Sequence, residues 1–154
     1  MNAEKMNSWL SLGANFGVVV GLMLIIVEIG QNTEMMRAQI NQSRTDTALF
    51  QQYSMSDTDY IAPIVAKIRR GEQLSDQEMI RYDAHLRAFN RNQDNNLWQY
   101  NQGYLGENIP ASIRGGVRAV IGQSELGIFT WDYQKYSYTD EYVAFVDEAI
   151  RDLR

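Results

Sequence analysis

Apolar residues run almost unbroken from Trp9 to Ile29, WLSLGANFGVVVGLMLIIVEI, whereas the rest of the chain alternates short apolar stripes with polar stretches. Over those 21 residues only Ser11, Asn15 and Glu28 are strongly polar. A helix rises about 1.5 Å per residue, so the segment reaches roughly 30 Å, the thickness of a bilayer's hydrocarbon core. The pattern predicts one transmembrane helix, with residues 1–30 forming the anchor. A secretory signal peptide is the competing reading. Its basic region would carry Lys5 beside Glu4, and no small-x-small cleavage site follows the apolar run, so an uncleaved anchor is the expectation.

From Gln31 the chain turns polar with neither Gly nor Pro as far as Tyr53, which predicts that the membrane helix continues into water over 31–53. Met36, Ile40, Ala48 and Phe50 give that extension only a patchy apolar stripe, so it must pack on something to be stable. Residues 54–154 are then expected to form a small helical bundle, making the whole chain all-α. Ser54 to Asp59 reads as a turn and Tyr60 to Arg70 as a short helix, with Pro63 in its first turn and Gly71 as its stop. Ser75 and Glu78 form a capping box ahead of a helix of about 28 residues. Its stripe is Met79, Tyr82, Leu86, Phe89, Leu97, Tyr100 and Tyr104; its charged face is Arg81, Asp83, Arg87, Arg91 and Asp94. A shorter apolar face, Ile113, Val117, Val120 and Ile121, lies between Pro110 and Gly122. Thr139 caps a last helix, Asp140 to Leu153, with Tyr142, Val143, Phe145, Val146, Ala149 and Ile150 inward.

Within the anchor, Gly13, Gly17 and Gly21 recur every four residues and make a smooth stripe along the helix. Lipid offers no hydrophobic force between helices, so close backbone packing and a few polar contacts must join them, and such a stripe permits both. Asn15, flanked by the stripe, is a candidate for a hydrogen bond across the interface. Glu28 is either a carboxylate at the membrane edge or, in a homo-oligomer, part of a ring at a pore mouth that favours cations. Arg114 and Arg118, one turn apart, suit either a helix lying on the membrane with its arginines at anionic headgroups or a small helix packed on the domain. The aromatic run Phe129, Trp131, Tyr133, Tyr136 and Tyr138 carries the same two readings, interfacial belt or packing seam.

Composition narrows the chemistry. A formal charge of −5 argues against nucleic acid as a partner. There is no cysteine, hence no disulfide, thiolate metal site or thiol nucleophile. The single histidine, His85, shares a helix with Glu78, but two ligands do not make a metal site. No phosphate-binding glycine loop or HExxH is present. Asp57 with Asp59, and Asp140 with Glu141, are explained by caps and first turns. The expectation is a protein that is not an enzyme and uses no cofactor.

Three stretches carry a family likeness: VEIGQNTEMMRAQ after the anchor, FNRNQDNNLWQYNQGYL in the middle, and GIFTWDYQKYSYTDEYVAFVDEAI near the end. Together they resemble a family of small, uncharacterised bacterial single-pass membrane proteins. The resemblance implies a membrane-anchored helical domain and carries over no catalytic residue. Three functional readings are consistent with the whole: a self-assembling membrane scaffold, an accessory subunit docked on a larger membrane complex, or a small channel lined by Asn15 and Glu28. Membrane lipids are partners in each. The bacterial inner membrane is the expected location, and Arg37 and Arg44 against Lys5 lean the soluble domain towards the cytoplasm.

Overall fold

A computed structural model describes residues 3–56, 59 and 61–153, and helices account for most of them, with no strand among the described residues. The elements are α1 (Ala3–Ser56), α2 (Ala62–Arg69), α3 (Asp76–Asn101), α4 (Ile109–Val120), α5 (Glu125–Gln134) and α6 (Asp140–Ala149), with short 3₁₀ turns after α5 and α6. The all-α expectation, a long apolar N-terminal helix followed by a helical bundle, is met. Contacts divide the chain inside α1: one unit ends at Arg44 and the other takes in Thr45–Arg154.

The first unit is a single helix, apolar and long enough to cross a membrane by length and composition. Its large side chains stay outward; Trp9 and Phe16, for example, are 69% and 70% exposed. Helix α1 ends later than the sequence suggests, at Ser56 rather than Tyr53, and Asp57, Thr58 and Tyr60, which belong to the expected turn and the start of the next helix, lie outside the described residues. Ser54 and Ser56 donate back to the carbonyls of Gln51 and Gln52, so their hydroxyls are satisfied within the helix.

The second unit is built on α3, which packs against α4 and α5, while α4 packs against α6. Each boundary has a local cause. Pro63 sits in the first turn of α2, where its missing N–H costs nothing. Helix α2 stops at Gly71, whose φ of +70° is costly for any residue with a Cβ. The Gly71 N–H donates to the Ile68 carbonyl and the Glu72 N–H to that of Lys67, the double closure of a Schellman motif. Gly103, at φ +74°, ends α3 in the same way, with Tyr104 N–H donating to the Gln99 carbonyl. The Ser75 and Glu78 capping box forms as read from the sequence, and Thr139 caps α6 by accepting from the Tyr142 N–H.

Ile61, which precedes α2, and Ile64 and Val65 within it pack on Tyr82 and Leu86 of α3. Trp131 of α5 and Tyr142 of α6 are fully buried and meet edge to face, ring centroids 5.9 Å apart, with Tyr138 stacked on Trp131 at 5.7 Å. The α3 stripe holds at Tyr82, Leu86, Phe89 and Leu97, but Met79 is exposed. One member of the expected charged face moves inward: Asp94 is buried, because the Thr139 hydroxyl donates to it at 2.6 Å and the Thr139 N–H at 3.4 Å. A buried carboxylate needs donors, and the α6 cap supplies them. The last helix is shorter than expected, stopping at Ala149 before a 3₁₀ turn over Arg151–Leu153.

Candidate functional site

On α1 the three glycines meet open space. A Cβ placed on Gly13, Gly17 or Gly21 would have nothing within 4 Å. At 3.6 residues per turn these positions occupy an arc of about 80°, so they form one face of an uninterrupted helix. The same rotation sets Asn15 apart from the glycine stripe. Nearness along the chain is not nearness around the axis, and Asn15 projects about 160° away from the middle of the glycine arc. In a two-helix contact through the glycines it lies on the far side. Asn15 instead borders a shallow apolar depression shared with Trp9, Leu12, Phe16 and Val19, with Gly13 at its other edge.

Glu28, by contrast, falls inside the glycine arc, two turns beyond Gly21. A helix that approaches along the glycines therefore also meets Glu28. Asn15 and Glu28 are about 140° apart, and one straight helix does not turn both towards a single lumen.

In the helical domain Arg114 donates to Glu148 at 3.4 Å and lies over the Phe145 ring at 5.1 Å. Helix α4 is packed on α3 and α6, with Ile113 and Val117 buried, as the packed-helix alternative requires. Arg118, one turn on, sits on the same helix and has a partner within the protein. The aromatic run is not uniformly buried. Trp131 is buried, while Phe129, Tyr133 and Tyr136, spaced four and three apart, are 71%, 70% and 87% exposed.

No family model matches the chain, and no curated protein or solved structure is similar to it.

Glu78 is committed to the α3 cap and to Lys67, at 2.7 Å, which together hold its pKa down at about 2. His85, two turns further along α3, is half-buried, and burial lowers its pKa. Among the described residues no three His, Asp or Glu side chains converge as a metal site would require.

A polar seam that sequence reading missed joins α3 to the α5–α6 corner. The Tyr142 hydroxyl donates to Asn90 Oδ1 at 2.9 Å, and Gln134 Nε2 donates to Asp83 Oδ1 at 2.6 Å and to the Asp83 carbonyl at 3.1 Å. Trp131 Nε1 donates to Asp147 at 2.9 Å, and Arg91 lies over the Tyr138 ring. Burial pushes the Tyr142 phenol upward in pKa, so it stays a neutral donor. These contacts pair residues 16 to 52 positions apart in sequence, and of the seam's amides Asn90 keeps a buried Nδ2 without a hydrogen-bond partner. The seam fixes the bundle rather than presenting reactive groups.

Proposed function

We propose that this is a non-catalytic membrane-anchored protein that self-assembles through the Gly13, Gly17 and Gly21 face of α1 and serves as a scaffold. The supporting observation is the combination on α1 of outward apolar side chains with three consecutive glycines whose Cβ positions are empty. Close approach of two backbones there replaces lipid contacts with denser protein packing. The family resemblance suggests the bacterial inner membrane, and the arginine balance favours a cytoplasmic helical domain.

Docking of the same face onto a helix of a larger complex is the second reading, since a glycine stripe does not by itself choose between a copy and a foreign helix. The channel reading loses support, because Asn15 and Glu28 diverge around the axis. Energy transfer between donor- and acceptor-labelled copies in pure lipid vesicles tests the choice. Self-assembly predicts transfer that is lost in Gly17→Leu; no transfer in the wild type sends the face to a foreign partner. Glu28→Gln removes a like charge from the same face, so transfer should be kept or raised, and a cation flux abolished by that change would revive the channel.

A further inference from the structure

The helical domain contains a cavity of about 240 Å³ whose walls are almost wholly apolar. Its floor is Val65, Tyr82, Phe89 and Val120, three of them buried. The His85 imidazole and the amides of Gln51, Gln52 and Gln123 complete it, and Gln52 and Gln123 are exposed, which places the polar groups towards solvent. A dry apolar cavity of about 150 Å³ takes up benzene, so this volume holds a larger, ring-fused body. Water is a poor occupant of such walls, because it needs two or more polar partners.

The lining contains no Asp, Glu, Lys or Arg. A charged ligand would be desolvated there with no counterion. Desolvation also favours the neutral form of His85, which then offers one N–H donor and one ring nitrogen acceptor. The Tyr82 hydroxyl is buried and makes no hydrogen bond of good geometry, although the Ser124 hydroxyl is close enough to temper the rise in pKa that burial causes.

We propose that this cavity is a binding site for a small, neutral, ring-fused molecule whose apolar body fills the space between Val65, Phe89 and Val120 and whose single hydroxyl or carbonyl group meets His85 and the glutamine amides. Displacing poorly held water from apolar walls supplies the affinity, and His85 with the amides sets the orientation. The lining lies wholly within the second unit and shares no residue with the glycine stripe.

Because His85 is the only histidine, histidine labelled with carbon-13 at Cε1 alone gives one resonance, and it comes from the cavity. The experiment titrates 1-naphthol into the full chain in lipid nanodiscs and follows that resonance. The expected result is a saturable shift. Gln123→Trp, at an exposed position on the rim, and Val120→Phe, which fills the floor, should each weaken binding at least about tenfold. Either variant is read only where near-ultraviolet dichroism shows a native fold. A naphthalene sulfonate of the same size should bind at least about tenfold more weakly than the naphthol. A shift that rises linearly without saturating, or equal affinity in both variants, reflects partition into lipid and overturns the site. Equal binding of the sulfonate overturns the neutral-ligand assignment.

Discussion

Gly127→Ala adds one methyl group and should unfold the helical domain at a markedly lower temperature. Gly127 is the third residue of α5, where its N–H donates to the capping Ser124 hydroxyl at 3.0 Å. A Cβ there would stand 2.3 Å from the Ile121 carbonyl oxygen and 3.1 Å from its carbon. The obstruction is backbone, and Ile121 is a fully buried residue at the end of α4, so neither side retreats without opening the core. Overpacking of this kind costs typically 1–3 kcal/mol, and a backbone obstacle places this case at about 3 kcal/mol. Alanine's better helix propensity returns about 1 kcal/mol, leaving about 2 kcal/mol. For a domain of roughly a hundred residues that lowers the melting temperature by about 10 °C. Gly115→Ala is the matched control, because its Cβ would meet nothing within 4 Å in the interior of α4. It should raise stability by about 0.5–1 kcal/mol. Near-ultraviolet dichroism of the full chain follows both, since the signal from Trp131, Tyr138 and Tyr142 reports domain packing, whereas the far ultraviolet also carries the 54 residues of α1. A Gly127→Ala domain as stable as the wild type, or a Gly115→Ala domain less stable than it, would refute the packing argument.

Tyr142→Phe removes the donor to Asn90 Oδ1 and leaves a fully buried amide whose Nδ2 already lacks a partner; urea unfolding should show a loss of about 1–3 kcal/mol, and a neutral result would mean the seam is not contributing. The Glu78 carboxyl is held at about 2, below its ordinary 4.5, first by the Lys67 ammonium and then by the Ser75 N–H and hydroxyl. The unfolded chain therefore takes up this proton first, so the stabilisation is present above pH 4.5 and fades as pH falls towards 2. Glu78→Gln should flatten the pH dependence in that window, measured by denaturant midpoints, and an unchanged slope would remove Glu78 as its source.

Boundaries marked by local chemistry were legible in the sequence. Ser75 with Glu78, Gly71 after Arg69 and Arg70, and Thr139 before two acids each act within one turn, so no distant partner is needed to read them. Helix α5 was not legible. Its apolar side chains point both ways, Trp131 into the core and Phe129 and Tyr133 into solvent, so no helical period emerges and only the Ser124 cap marks it. Asp94 was read as a surface charge for a related reason: its partner, Thr139, lies 45 positions away. On the candidate site, the glycine spacing is local and is kept in the helix, whereas the angle between Asn15 and the stripe emerges only on counting around the axis. The cavity escaped sequence reading altogether, because its walls come from four separate helices and a turn.

Native mass spectrometry of the intact chain in mild detergent, run beside Gly17→Leu, tests the central claim most directly. Leucine is a good helix former, so the anchor persists while the backbones are held apart. The account predicts a defined homo-oligomer for the wild type that reverts to monomer in the variant. A wild-type monomer, or an oligomer unchanged by Gly17→Leu, would contradict assembly through the glycine face.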